Sequence, residues 1–470
     1  MQTNDRLTSA HPVQSSVQLE ATTLAVLFMS ASQPSATPSP VPPGEFGLPV
    51  IGETLSFFRD RNYAVKKHQK YGAIFKTRLL GNPTVFVKDH AANQFVFSHE
   101  NQYFQVTWPP STRALLGPLS LALQTGNVHQ NRRKLLAQAF MPRALSGYID
   151  AVQTITAQYS DRWAAQGNLT WYPELRNYTL DVACKLLVGL DQGSQTRLGQ
   201  LFETWCEGLF SIPLALPWTR FGKAKRCRQL LLDEIEQTIV TRQQASEPGQ
   251  DALSLLIQAR DDDGQGLSLE ELKDQILLLL FAGHETLTSA IASYCLLIAQ
   301  NPTVWDKLRA EQAAFAEAPL TLETLKQMTY LDQVLREVLR LVPPVGGGFR
   351  TVLQTCELNG YQIPAGWTVL YEINQTHLNP DVYPAADTFQ PDRFADEASR
   401  AKYSYIPFGG GIRECLGKEF ARLEMKLFAV HLLRHYTWEL LPDQDLSLVT
   451  VPTPHPRDNL KVRFTAMSDR

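Results

Sequence analysis

The 470-residue chain has few cysteines and no C-x-x-C pair: Cys184, Cys206, Cys227, Cys295, Cys356 and Cys415 are scattered, with no Cys/His cluster at zinc spacing. A sequence-local zinc site is thereby excluded, and a reducing compartment is expected. An excess of either charge is also lacking. Lys plus Arg number 44 against 47 Asp plus Glu, a formal net charge of −3, which leaves no electrostatic footprint for nucleic acid. No membrane anchor is expected from the N-terminal stretch: Ala21 to Ala31 is apolar but reaches only half of the roughly 20 residues a spanning helix needs. No basic region precedes it, so it does not read as a signal peptide. Ile276 to Ala299 is long enough to span but carries His284 and Glu285, and an acid at mid-bilayer costs roughly 3 kcal/mol. That stretch reads as a buried helix, and no spanning helix is expected. Internal repeats are absent. The glycine run near residue 410 fits neither G-x-G-x-x-G nor G-x-x-x-x-G-K, and no G-x-S-x-G occurs, so phosphate cradling and serine hydrolysis have no support.

What is present is mostly helical. Residues 1–43, rich in Ser, Thr, Gln and Pro, read as a disordered leader, and residues 44–470 as a single domain. "LLDEIEQTIVTRQQ" and "RLEMKLFAVHLLRHY" repeat apolar residues every three or four positions, whereas strand-like runs such as "TVFVKD" are short. The expected class is mainly α with small β-sheets. "ELNGYQIPAG" and "WTVLYEI" bracket Pro-Ala-Gly, which predicts a hairpin turn there. The longest predicted helix begins at a capping box, Ser268 with Glu271, and stops at Asn301-Pro302. At about 1.5 Å per residue it makes a rod of roughly 50 Å, apolar on nearly all faces.

Four constellations stand out. In the middle of that rod, "AGHET" sets Ala282 and Gly283 beside an acid and an alcohol, Glu285 and Thr286. Thr286 could simply bond back to its own helix. Buried Glu is uncommon without a partner, and small residues let something flat approach. Glu337 and Arg340 share a helix face three residues apart, with Arg393 as a candidate third member. Cys415 follows Gly409, Gly410, Gly411 and Arg413 and stands just before an amphipathic helix, whose N-terminus lowers a thiol pKa. Most lone cysteines are small buried hydrophobes, and no local cysteine-hydrolase signature is present. A thiolate beside glycines and an arginine also suits a flat anionic cofactor such as haem.

In this order the motifs resemble the cytochrome P450 family of haem-thiolate monooxygenases, from Pro42 to about Arg463. F-x-x-G-x-R-x-C-x-G is matched by Phe408, Gly411, Arg413, Cys415 and Gly417; (A/G)-G-x-(D/E)-T by Ala282, Gly283, Glu285 and Thr286; E-x-x-R by Glu337 and Arg340; P-x-R-F by Pro391, Arg393 and Phe394. The resemblance implies the cytochrome P450 fold, a long central helix over a haem b whose iron is ligated by Cys415. It makes Arg133, Arg350 and Arg413, with His129, the propionate contacts, and puts Phe408, Gly411, Ala282 and Gly283 against the cofactor. His129 stands where many members have tryptophan. Thr286 and Glu285 become the catalytic pair that brings protons to dioxygen, while Glu337, Arg340 and Arg393 brace the fold.

The implied reaction is hydroxylation of a hydrophobic small molecule. "PPGEFGLPVIGE" and "FAGHET" are similar to the retinoic-acid-hydroxylating branch, which implies a retinoid, another isoprenoid or a fatty acid as substrate. The family analogy assigns Phe104, Trp108, Phe202, Phe210 and Phe349 to the substrate pocket. Electrons are expected from a separate ferredoxin or flavoprotein, docking near Lys418, Arg422 and Arg132 to Lys134, since the chain leaves no room for a flavin domain. A cytoplasmic monomer is expected, peripheral to a membrane through "SIPLALPW". The competing readings are a peroxide-using or isomerising haem-thiolate enzyme and a non-catalytic haem sensor.

Overall fold

Stretches with apolar residues three and four apart can bury one face along their whole length, and these build the scaffold. The computed structural model describes residues 39–246, 249–396 and 401–467. The leader assigned to residues 1–43 and the apolar run Ala21 to Ala31 therefore lie outside the description, apart from residues 39–43. Those five are tied down: the Pro40 carbonyl accepts from Gln362 and the Pro43 carbonyl from Lys76, at 2.9 and 2.7 Å.

The helices that position the site are α1 (Gly126–Ala137), α2 (Pro142–Gln166), α3 (Trp171–Val188), α4 (Arg197–Cys206), α5 (Arg220–Gln244), α6 (Leu269–Gln300), α7 (Thr329–Leu341) and α8 (Lys418–His435). The rod α6 starts where the sequence predicts. Ser268 Oγ accepts from Glu271 N at 3.3 Å, and Glu271 Oε2 accepts from Ser268 N at 2.9 Å, so the capping box is closed. Asn301 ends it and Pro302 opens the next helix, since proline at a first helical position loses no hydrogen bond.

Two apolar clusters meet on α6. Toward its C-terminal half, Ile291, Tyr294 and Ile298 pack with Trp171 and Tyr178 of α3 and Phe428 of α8. Toward its N-terminal half, Ile276 and Leu280 pack with Leu187 of α3, Phe202 and Trp205 of α4, and Leu231 of α5. Burial of each such side chain stabilises by about 1.5–3 kcal/mol. The helix is long and apolar enough to cross a membrane, but 72% of its most apolar window is buried inside the protein.

A five-stranded sheet stands beside the helices: β1 (Ile74–Leu79), β2 (Asn82–Val87), β3 (Phe104–Val106), β4 (Gly347–Val352) and β5 (Thr368–Glu372), in the order β1-β2-β5-β4-β3. Only the β2–β5 pair is parallel. Arg350 sits between Val106 on one side and Val369 on the other, so the register sets its position. A turn forms at Pro364-Ala365-Gly366, where Trp367 N donates to Pro364 O at 3.3 Å, but the runs on either side of it do not pair as the expected hairpin. Cys356–Leu358 pairs instead with Tyr361–Ile363 around Asn359-Gly360, whose φ angles of +52° and +78° suit the left-handed turn that Asn-Gly favours. The "WTVLYEI" run joins the larger sheet as β5.

Behind the site, Arg340 spends all five of its N–H groups. Nε and Nη2 donate to Glu337, Nη1 to the carbonyls of His377 and Ala386, and Nη2 also to Thr388 O, at 2.7–3.1 Å. Glu337 accepts in addition from Arg393 Nε at 3.0 Å and Gln390 N at 2.9 Å. Glu337 and Arg340 are fully buried. Removing one partner strands the other charge, so Arg340→Ala is expected to lower unfolding stability by roughly 3–5 kcal/mol in a urea titration.

His377 links this brace to the cysteine loop. Its Nε2 accepts from Ile406 N at 2.8 Å, so Nδ1 carries the proton toward Arg340 O, 3.2 Å away. Burial, with the Arg340 charge, pushes its pKa down from 6.5 to about 3. Between those values the unfolded chain takes up a proton that the folded chain refuses. The group therefore removes roughly 1.4 kcal/mol of stability per pH unit as pH falls through that window. His377→Gln should flatten that part of the stability curve, measured by urea unfolding at several pH values.

Candidate active site

The cysteine loop is closed by Cys415 N donating to Phe408 O at 2.9 Å. Gly411 has φ +67°, and a Cβ there would stand 2.5 Å from the Phe97 carbonyl. A Cβ on Gly410 would meet the Phe97 ring at 2.6 Å. These two glycines thus let the loop seat on Phe97, which is a different service from the cofactor approach expected of them. Cys415 precedes Gly417, the N-cap of α8, and its thiol is accessible to solvent within a deep recess. Burial pushes the thiol pKa up, against the Gly417 N–H and the Arg133 charge, which pull it down. The lowering expected from the helix N-terminus is present but outweighed.

Arg350 and Arg413 are gathered around one carboxylate, Glu100, with the Arg133 charge near Arg413. Arg350 Nε and Arg413 Nε each donate to it at 2.6 Å, and the two arginine side chains and Glu100 are all at most 8% exposed. Arg413 also donates to Gln124 O at 2.5 Å, and Arg133 to Glu414 O at 2.6 Å, which ties α1 to the cysteine loop. His129 is pushed down to about 4 by burial and then by Arg413 and Arg133, so it is neutral. Two guanidinium groups share the single Glu100 carboxylate, so that pair of arginines keeps a net positive charge. His129 Nδ1 and Gln124 Oε1 are buried without a partner.

Side chains on α6 show a second irregularity. Ala282 is exposed and Gly283 and Thr286 are half-buried, on a helix whose flanking residues Leu279, Leu280, His284, Glu285 and Leu287 are buried. A Cβ on Gly283 would find its nearest neighbour, Leu187, 3.9 Å away. Thr286 Oγ1 donates to Ala282 O at 2.7 Å, leaving its lone pairs for an incoming donor. Glu285 does not pair with Thr286. It turns to α3, where Arg176 Nη1 and Nη2 grip it at 3.2 and 2.8 Å. Burial opposes the Arg176 charge, but Glu285 and Glu203 outweigh it and raise the arginine pKa.

The aromatic residues assigned to the substrate divide. Phe104 and Phe202 are 0% exposed, the first in the core beside the sheet and the second against Trp205 and His284. They offer a ligand no face, which corrects that expectation. Trp108 is half-buried with Nε1 on Ala122 O at 3.0 Å; Phe349 is half-buried; Phe210 is 43% exposed. The cations expected to dock an electron donor are paired: Lys418 with Glu414, Arg422 with Asp332, Arg132 with Glu271 and Lys134 with Asp262. Sequence reasoning missed Glu100, Arg176 and Glu203. No local pattern marks them, because each meets its partner across the fold.

An accessible thiol at a helix N-terminus, a strip of small residues on a buried helix and a net cationic arginine cluster fit haem, which carries two propionates. Those features define a haem-thiolate protein. The comparisons agree: a family profile described as Cytochrome P450 matches residues 42–460, and the chain belongs to the cytochrome P450 family, as an enzyme of its monooxygenase class. It is 52% identical over 432 residues to cytochrome P450 120 of Synechocystis, covering 91% of this chain and 97% of that one. It is 36% identical to cytochrome P450 26B1 of Xenopus tropicalis, covering 93% and 89%. The solved structure of retinoic acid-bound cyanobacterial CYP120A1 superposes with a TM-score of 0.88 at 51% identity, covering 92% of this chain and all of that one. The family's cofactor is haem with a cysteine-ligated iron.

Proposed function

We propose that the chain hydroxylates a hydrophobic carboxylic acid of the retinoid class, using dioxygen and electrons from a separate ferredoxin or flavoprotein. Two observations carry this reading: the accessible Cys415 thiol, and the open positions Ala282, Gly283 and Thr286 on a helix that is otherwise buried. The retinoic acid bound in the solved relative supports the substrate class. Haem held by Cys415 supplies the activation of dioxygen needed to put one oxygen atom into a C–H bond. Arg133, Arg350 and Arg413 hold its propionates by charge-assisted hydrogen bonds, with Glu100 fixing the latter two in place.

The distal residues manage protons. Thr286 Oγ1, whose own proton goes to Ala282 O, accepts a hydrogen bond from a donor in the strip and so holds a proton there. Glu285 is the acid behind it. Released from Arg176, its carboxyl turns toward Thr286 and replaces the proton consumed. Water-insoluble substrate enters through the segment carrying Ile212 and Trp218, 83% and 72% exposed, while the protein rests on a membrane surface. Titration of the purified haem-loaded protein with retinoic acid should shift the haem spin state at micromolar concentration, and fatty acids of equal length should do so less. Absence of a retinoid response beside a strong response to another class would overturn the substrate reading.

A further inference from the structure

Behind Glu285 lies a polar set that the reaction described above does not use. His284 is fully buried between two carboxylates: its Nε2 is 3.3 Å from Glu203 Oε1 and 3.8 Å from Glu285 Oε1. At those positions it makes no aligned hydrogen bond. Nδ1 lies 2.9 Å from Thr179 Oγ1, which lies 2.6 Å from Thr288 Oγ1, which reaches the His284 carbonyl at 2.9 Å. Each hydroxyl has a single proton to donate. Thr179 Oγ1 also lies 3.1 Å from Leu175 O and 3.3 Å from Arg176 O. Thr288 donates to the carbonyl, Thr179 spends its one proton on Thr288 or on its own helix, and in either case only His284 Nδ1–H can fill the contact to Thr179. Nδ1 thereby keeps its proton, and Nε2 is the nitrogen left to gain and lose one.

The two carboxylates differ in access. The Glu203 side chain is 39% exposed, Glu285 3% and His284 0%. Both acids share Arg176, whose Nη2 is 2.5 Å from Glu203 Oε2 and 2.8 Å from Glu285 Oε1. Solvent, Glu203, His284 and Glu285 thus form a line from the surface between α3 and α4 to the buried acid on α6.

From this geometry we propose that His284 is a proton carrier, receiving protons from solvent at Glu203 and passing them to Glu285. The inference rests on the reading of Glu285 given above. A solvent proton associates with the Glu203 carboxylate and moves to His284 Nε2, making the imidazolium. Nε2–H then gives it to Glu285 Oε1, and the ring returns to neutral. Protonation removes the charge that holds Glu285 to Arg176, which frees the carboxyl to turn. Dioxygen, two electrons from the redox partner, two such protons and a C–H bond balance to an alcohol and water.

The surrounding charges favour this direction. Tyr172 and Arg176 face the cluster from α3, Glu203 and Cys206 from α4, and Glu285 from α6. Burial raises the Tyr172 phenol and the Cys206 thiol, so neither carries charge near neutral pH. One guanidinium against two carboxylates leaves a net negative site that attracts a proton. Burial would raise the Glu203 carboxyl, but once His284 is the imidazolium it and Arg176 outweigh that and hold Glu203 at about 2, so the proton does not return to it. Glu203 is therefore a collector that passes protons on rather than storing them.

The test uses haem-loaded enzyme with its reductant in four variants: His284→Gln, Glu203→Gln, Glu203→Asp and Glu285→Gln. Product formed per dioxygen consumed is followed across pH. The histidine rings are followed by carbon NMR in the diamagnetic reduced carbon monoxide complex, with the His284 signal assigned by its loss in His284→Gln. Coupling is expected to fall about ten-fold or more in His284→Gln and Glu203→Gln and to recover in Glu203→Asp. In the wild type the His284 ring shifts should show the proton on Nδ1, and coupling should decline as pH rises and protons become scarce. Turnover driven by hydrogen peroxide, which brings its own protons, should fall far less. Glu203 is at the surface and serves as the second variant should His284→Gln fail to fold. Wild-type coupling and pH profile in both, beside uncoupling in Glu285→Gln, would overturn the relay and leave the Glu285 reading standing. Wild-type coupling in Glu285→Gln as well would overturn both.

Discussion

Cys415→Ser is expected to abolish the red-shifted Soret band that a thiolate-ligated haem shows in its reduced carbon monoxide complex, and with it all measurable hydroxylation. Sulfur is a soft, electron-rich ligand, and the serine hydroxyl is a poor one for the same iron. In the chain alone, burial holds the thiol proton on, but the Gly417 N–H and Arg133 already favour the thiolate. A bound cation tips that balance, since a coordinating thiol is deprotonated outright. The loop itself should survive, because it is closed by the Cys415 backbone N–H to Phe408 O and by the glycines seated on Phe97. Cys295→Ser is the matched control: that thiol is fully buried in the core away from the arginine cluster, and its loss should leave the band in place. Survival of the band in Cys415→Ser would reject the ligand assignment.

Thr286→Ala should leave the haem spectrum and the fold intact while product per dioxygen falls about ten-fold and the missing electrons appear as hydrogen peroxide. The hydroxyl makes one contact within its helix, to Ala282 O, and alanine is the better helix former, so α6 is not weakened. What is lost is the oxygen lone pair that holds a proton in the strip. Thr286→Ser retains it and should restore most of the coupling, a recovery that a packing role for the methyl group would not give. Coupling equal to wild type in Thr286→Ala would remove the residue from the mechanism.

Legibility of the fold depended on how local its causes are. The start of α6 was readable because the Ser268–Glu271 capping box lies within one turn. Turns form at both Asn359-Gly360 and Pro-Ala-Gly, but the hairpin closes only on the first, and pairing across the sheet rather than local sequence decides between them. The site divides the same way. Cys415, Thr286 and the arginines stand in contiguous motifs, whereas Glu100 reaches Arg413 from 313 residues away and Arg176 reaches Glu285 from 109. Such pairs leave no periodicity to read. Phe104 and Phe202 were assigned to the pocket because an apolar ring reads alike in a core and in a binding site, and burial alone separates the two.

Incorporation of labelled oxygen tests the central claim most directly. Haem-loaded enzyme, a reductant with its electron donor, and retinoic acid are incubated under 18O-labelled dioxygen, and the product is weighed by mass spectrometry. The account predicts one labelled oxygen atom in the hydroxylated product, formed only when both dioxygen and electrons are supplied. Hydroxylated product carrying oxygen from water, or no oxygenated product from any hydrophobic acid despite a bound thiolate-ligated haem, would contradict it.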